Sequence, residues 1–469
     1  MIRKEWDSII YHHGLVMENT PSESCDCTAP AITLEYNGTQ AEAKPPSPPS
    51  VPPPLSNYSH SFFAPELATK RKVFIEGLIT TTILTIIVIW VNLSLYWGAF
   101  AHQRDFSKFL DARFIDQDGN DLGTAMRAAF QANIDARTNS KIGWVINNQA
   151  QSFSDDQVRN LVIEERAWGL VIGKYGATDA LIKARENGDS SYNASAAVTF
   201  YYNQGRNENG ANNYVVPYTE AILNTALANF SAYYTAEYFA RQAGNVTAMR
   251  GVARAPQTIC DVFSYSSLNL RPYTAPVAQS ITIVGYIYVV IFAFILTMTS
   301  LQERLALKPF ASFRQAVFYR ILLPVLMYIP LSLSYAMLSL NTKVPFDSKY
   351  SYAGGFFLFL FYIFLGMCAL ACDATVQCAA TVVPPRFMTF FIFPLILSNV
   401  AVAAIPIQLQ PWFYRYGYGL PVYNLGQATR TIIFNTKSHL GLNAAVLLAW
   451  IALSLVVLPS LMWWEHRRH

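Results

Sequence analysis

The sequence predicts an α-helical polytopic membrane protein of about six transmembrane helices, with an α+β extracytosolic domain between helices 1 and 2. Three observations carry this expectation. Of 469 residues, 52% are hydrophobic and only 14% charged, against about 25% charged in an ordinary soluble domain. The charges are segregated: His102–Pro276 holds 16 Lys/Arg and 17 Asp/Glu, about half of the total. Six windows outside that segment are apolar for about the 20 residues that a bilayer core of about 30 Å requires. A chain that met one solvent would spread its charges over one surface, so two solvents are implied. The net charge of +4 is small and diffuse, and no basic stripe predicts a nucleic-acid partner.

Residues 1–69 read as a disordered, proline-rich cytosolic tail. The run Pro45–Pro54 (PPSPPSVPPP) cannot donate the backbone bonds of a helix or sheet and favours polyproline II. Ser47 stands where a basic-first SH3 ligand wants proline, so a flexible spacer is the reading. No 7–15 residue apolar core opens the chain, so targeting is assigned to the first span as an uncleaved anchor. Residues 70–100 hold that span, Gly77–Phe100, with Lys70, Arg71 and Lys72 before it and Tyr96 and Trp97 at its far end, placed like an interfacial belt.

Residues 101–275 form the extracytosolic domain. Lys141–Asn147 reads as a strand. Ser154 and Gln157 have capping-box spacing and open a helix. Ala167–Gly173 (AWGLVIG) reads as a buried strand, Thr178 as the cap of a short helix through Arg185 that stops at Gly188, and Ala196–Tyr202 as a strand rich in β-branched and aromatic residues. Tyr218–Gln242 has neither Pro nor Gly and reads as one long helix. That alternation predicts helices packed on a small sheet. Cys260 is the only cysteine of this segment, so no internal disulfide is expected.

Residues 276–465 carry a five-helix bundle with spans at Pro276–Ser300, Val317–Leu340, Ala353–Cys372, Phe387–Ile407 and Ala444–Trp464, and residues 466–469 end it in the cytosol. Lys and Arg set the orientation. Lys70, Arg71, Lys72, Arg304, Lys308, Arg314, Arg386, Arg467 and Arg468 fall on one side, more densely at the span ends than Lys343, Lys349, Arg415, Arg430 and Lys437 on the other. The first side is therefore expected in the cytosol. Glycosylation sequons at Asn193, Asn229 and Asn245 agree, since these three fall in the outer domain and require the secretory lumen; Asn37, Asn57 and Asn92 match the same pattern where no glycan is expected.

Chemistry is sparse. Gly169–Gly176 (GLVIGKYG) fails as a phosphate loop because three residues separate its first glycines and Tyr175 replaces the Ser/Thr that would hold magnesium. His12, His13, Cys25 and Cys27 match no zinc spacing. No catalytic residues, metal or cofactor are expected, and the chain is not read as an enzyme. Two intramembrane polar residues stand out as pathway or helix-contact candidates, Asn92 in the first span and Asp373 at the end of the fourth. Leu301–Phe318, with Arg304, Lys308 and Arg314, reads as an interfacial amphipathic helix and a candidate coupling loop.

Five stretches carry a resemblance: AWGLVIG from Ala167 with Trp168, the FYYNQGR run ending at Arg206, Pro217, LNLRPYTAPVA from Leu268, and GYGLPVYNLGQATRTIIFNTKSHLGLN from Gly417, with Pro421, Asn424, Arg430 and His439. Over residues 70–465 the chain resembles the fungal nitrosoguanidine-resistance protein family, whose members share a domain of unknown function. The resemblance implies a plasma-membrane protein tied to drug resistance or to lipid distribution between leaflets. The layout is also similar to the permease halves of ATP-binding-cassette exporters. That similarity implies membrane lipids or hydrophobic small molecules as substrates, a homodimer, and an ATPase or transporter partner. The leading expectation is an export-type permease; the alternative is a non-transporting regulator or scaffold.

Overall fold

A computed structural model describes residues 61–147, 153–273, 275, 277–307, 310–378, 390 and 392–468. The Pro45–Pro54 run lies outside them, as do Pro276, Lys308 and Arg386. Residues 61–69, expected as tail, hold a helical turn at Pro65–Leu67 and the start of a helix.

That helix, α1 (Ala68–Ala101), is charged in its first turns and apolar all round from Gly77 onward, as a lipid-facing span must be. Its Thr80, Thr82 and Thr85 hydroxyls each donate to the carbonyl four residues back, which satisfies them without water. At its far end Leu95, Tyr96, Ala99 and Phe100 join Ala401, Val402, Tyr414 and Leu420. The Tyr414 hydroxyl donates to the Leu95 carbonyl at 2.6 Å.

The charged segment folds around five strands: β1 (Asp111–Asp116), β2 (Gly143–Asn147), β3 (Gly169–Gly173), β4 (Val198–Tyr202) and β5 (Tyr265–Asn269). Their order is β2-β1-β3-β4-β5, parallel except between β3 and β4. Parallel pairs demand crossovers and covered faces, and both faces are covered. Period-two alternation sends Phe114, Val171 and Phe200 to one face, where they pack with Phe130 of α2 (Asp121–Asp135) and with Leu223 and Leu227 of α5 (Val216–Gln242). The other face sends Ile115, Leu170, Ile172 and Tyr201 against Val158 and Val162 of α3 (Asp155–Ile163). The Ser154/Gln157 capping box is formed in both directions. The helix expected to be capped by Thr178 begins before it, as α4 (Ala177–Asn187) with Gly176 at the cap, and Gly188 closes it at φ +65°, the left-handed cap that glycine adopts freely. Thr178 instead sits inside it and donates through both its N–H and its hydroxyl to Asp118. A further helix, α6 (Val246–Arg254), follows α5.

The bundle contains α7 (Gly285–Leu307), α8 (Phe313–Asn341), α9 (Tyr352–Cys378), α10 (Ile392–Ala403), α11 (Pro421–Phe434) and α12 (Leu440–Arg468). Tyr286, Phe294, Tyr328, Phe359, Met367, Leu425 and Leu447 form its buried core. Among the described residues, five helices are long and apolar enough to cross a membrane: 65–101, 280–300, 313–341, 352–372 and 440–464. The span expected at Phe387–Ile407 appears among the described residues as α10 alone, 12 residues long, or about 18 Å. Beyond Ala403 the backbone turns into 3-10 segments at Ile407–Leu409 and Trp412–Gly419. The amphipathic surface helix expected at Leu301–Phe318 is replaced by the ends of two long helices. Arg304 lies in the last turn of α7 and Arg314 in the first turn of α8.

The rings of Phe313 and His466 lie 5.3 Å apart, which puts the start of α8 and the end of α12 at one end of the bundle. At the opposite end the Ser348 hydroxyl donates to the Ile433 carbonyl, and the Tyr362 hydroxyl donates to the Leu440 carbonyl at 2.7 Å. The sheet domain sits at that second end. Ile405 and Leu409, which follow α10, are members of the same buried core as Phe114 and Trp144.

Candidate functional site

Two ion pairs with little exposure, Arg206–Glu165 and Arg430–Glu208, lie at the junction of the sheet domain and the bundle. The loop after β4 is shaped by two asparagines: the Asn203 carbonyl oxygen accepts from the Arg206 N–H at 3.0 Å, and that of Asn207 accepts from the Gly210 N–H at 2.9 Å. Such side-chain turns fix a loop without strand or helix. Two glycines let it lie against the bundle. A Cβ on Gly205 would stand 2.8 Å from the Phe434 side chain, and one on Gly210 would stand 2.7 Å from Pro406 and 3.1 Å from Trp168. Asn209 then donates to the Ala404 carbonyl at 2.8 Å.

Arg206 is held on two sides. Its guanidinium carbon stands 3.9 Å from the centroid of a Trp168 ring, a cation–π contact. Its Nε lies 3.4 Å from the Glu165 carboxylate. Glu165 follows α3 at φ +56°, a left-handed position where glycine is usual. Burial pulls the Arg206 pKa below its ordinary value, and the Glu165 charge opposes that pull.

Arg430, from α11, forms the second pair. Its Nη1 lies 2.6 Å from Glu208 and donates to the Gly205 carbonyl at 3.2 Å. Both partners are more than nine-tenths buried. Burial opposes the Arg430 charge, but the Glu208 carboxylate outweighs it and the pKa is raised. Beside this pair Tyr273 stacks on Phe434 at 4.6 Å, and Arg271 donates to the Asn435 carbonyl at 2.7 Å.

Between these contacts lies a cavity of about 340 Å3. Glu165, Trp168, Arg206 and Asn207 line it from the domain; Tyr418, Tyr423, Asn424, Gln427, His439 and Asn443 line it from the bundle side. Of the residues singled out in the sequence, Trp168, Arg206 and Asn424 therefore converge on one cavity, with His439, and Arg430 stands behind it. Asn424 is structural: its amide donates to the Tyr418 and Leu420 carbonyls, both at 2.9 Å, and ties the 3-10 segment to α11. Pro421 opens α11 and Pro217 lies at the start of α5, where a missing N–H costs nothing. Neither lines the cavity.

The other candidates lie elsewhere. Asn92 is buried in α1 and donates to the Val88 carbonyl of its own helix at 2.9 Å. Asp373 falls within α9, with its side chain outside the described residues, as is that of Arg304. Arg314 is exposed, as are the sequon residues Asn193, Asn229 and Asn245. Sequence reasoning missed Glu165, Glu208, Tyr423 and Asn443. Two of these are acids whose partners come from distant segments, and sequence spacing carries no signal for that.

No solved structure matches the chain. A protein of Saccharomyces cerevisiae, named as an uncharacterized endoplasmic reticulum membrane protein, is 24% identical over 487 aligned positions, covering 95% of this chain and 88% of its own. The name ties that relative to a membrane of the secretory pathway and does not carry the nitrosoguanidine-resistance label. With the model of one family matching residues 81–456, across α1, the sheet domain and most of the bundle, this multi-pass membrane protein belongs to the family described as protein of unknown function, DUF3533.

Proposed function

We propose that the chain is an export-type, permease-like membrane protein that handles amphipathic compounds or lipids at a membrane of the secretory pathway, with the plasma membrane as its site of action. The observation that carries this reading is the junction cavity. It is polar and aromatic, it is walled by both the sheet domain and the bundle, and it sits beside the first turn of the spanning helix α12. Pockets of this size and composition suit small ligands or headgroups. The orientation that places the sheet domain outside the cytosol is supported by Arg430. It was counted among the outer cations, yet it is buried against Glu208, which strengthens the charge bias toward the other end. The link to drug resistance or lipid distribution rests on the resemblance alone.

A second reading is a regulator or scaffold that recruits transporters or lipid-handling partners. It is favoured by the size of the groove among α7, α8, α9 and α12, lined by Thr297, Arg320, Cys368 and Ser454, which holds about 80 Å3, far less than a drug-sized ligand occupies. Purified protein in liposomes separates the two. Movement of a labelled lipid or amphipathic dye between leaflets supports the permease. No movement under any ion gradient, with or without an added ATPase partner, leaves the scaffold.

A further inference from the structure

The junction cavity contains two orphaned hydrogen-bond donors. Arg206 Nη1 and Asn443 Nδ2 are buried and have no partner among the described residues, and both residues line the same cavity. Asn443 is 2% exposed. A buried donor left unmade is costly, so native structures retain one where something else completes it. Donors call for an acceptor. The charge of Arg206, with its Nε already turned to Glu165 and its face on Trp168, selects an anionic one with several oxygens.

A third feature agrees. His439, Leu442 and Asn443 enter the cavity wall from the first turn of α12 and the residue before it. The leading N–H groups of a helix have no partner within it and favour negative charge. The larger cleft of the sheet domain, about 950 Å3 around Tyr234 and Tyr238, is different. Its buried cation, Arg185, already stacks on both rings and donates twice to the Thr258 carbonyl. That cleft presents a completed contact and the junction cavity an incomplete one.

We propose that the junction cavity binds a phosphate group, with Arg206 Nη1 and Asn443 Nδ2 donating to its oxygens. The rim favours a lipid headgroup as the source of that phosphate. Leu442 is exposed there, and it belongs to a helix whose next turns are apolar enough to lie in hydrocarbon. This lipid source rests on the amphiphile-handling reading above; the phosphate site does not.

The test uses the full chain in detergent micelles, titrated with inorganic phosphate, a short-chain phosphatidic acid and a short-chain diacylglycerol. Asn443→Leu removes one orphaned donor without removing any bond the structure shows, so its unliganded melting temperature should hold or rise. Arg206→Gln removes the other and serves as a second variant. Phosphatidic acid should bind wild type and lose about tenfold in affinity in each variant, the scale of one hydrogen bond to a charged group. Binding of phosphatidic acid and not of inorganic phosphate supports the lipid source. Equal binding of both supports the anion site and overturns the lipid source. Equal binding of diacylglycerol, no binding at all, or affinity unchanged in both variants overturns the proposal. Since binding and not flux is read, a failed liposome assay leaves this result standing, and the reverse also holds.

Discussion

Arg430 of α11 and Glu208 of the loop after β4 meet at 2.6 Å with both side chains almost wholly buried. They join a bundle helix to the sheet domain, and their energetics follow from that burial. Removing one partner strands the other charge, whereas removing both can be neutral. Arg430→Met should therefore destabilise the protein by about 3–5 kcal/mol, and adding Glu208→Leu should restore most of that loss. Thermal unfolding of the two single variants and the double variant in nanodiscs gives the cycle. Additive losses would show that the pair is not coupled.

The close approach at Gly205 makes a different demand. Gly205→Val forces branched atoms against Phe434, an overpacking that costs about 1–3 kcal/mol. The strain falls between domain and bundle, so amide exchange should rise at residues 203–210 and 430–435 while β1 and β3 stay protected. Uniform loosening of the sheet would contradict a junction-specific effect.

Tyr414→Phe deletes the hydroxyl that holds the Leu95 carbonyl, for about 1 kcal/mol. Because the far end of α1 packs in the same cluster as Ala401 and Tyr414, that substitution should weaken a cysteine cross-link between Leu95 and Ala401 positions more than it shifts the melting temperature. Substitutions of Ile79 or Ile83, both exposed on α1, with other apolar residues should do neither.

Exposure of Asn193, Asn229 and Asn245 allows a direct test of sidedness. If the sheet domain faces the lumen, endoglycosidase should shift the protein on a gel, and each Asn→Gln variant should remove one step for every occupied site. An unshifted protein in all four cases would remove the support that the sequons give to the orientation.

Lys174 donates to Asp155 at 2.6 Å, and that bond holds the Asp155 carboxyl below its ordinary value against the effect of burial. A carboxyl depressed in the folded state adds stability above its unfolded value, about 3.9, and loses it as pH falls through the folded one. Both partners are partly exposed, so the contribution is under about 1 kcal/mol. Asp155→Asn should lower the melting temperature slightly at pH 7, and the difference should vanish in acid.

Much of this architecture was legible where one physical signal dominates. GLVIG of β3 and VTFYY of β4 are nearly all buried, and an unbroken apolar run shows that. The Ser154/Gln157 box is a local bond and reads locally. β1 was missed although it is the parallel partner of both β2 and β3, because DARFID places charges at both ends and in the middle. Asp116 is nonetheless satisfied inside, accepting from the Gly119 N–H and from Arg127. The helix α11 lies outside the expected spans because its apolar residues are broken by Asn424, Thr429, Arg430 and Thr431, all of which are buried in the structure. Trp168 and Arg206 were marked by resemblance, but their stacking depends on a loop fold that spacing does not encode.

The sheet domain is not finished when its own segment is. Ile405 and Leu409 fill its interior beside Phe114 and Trp144, yet a ribosome delivers them only after three spanning helices have followed. A nascent chain halted after β5 would hold an open apolar hollow, and a fragment ending there should aggregate or recruit a chaperone. The early domain therefore completes its core only once the late helices have been made and their following segment turned back toward it.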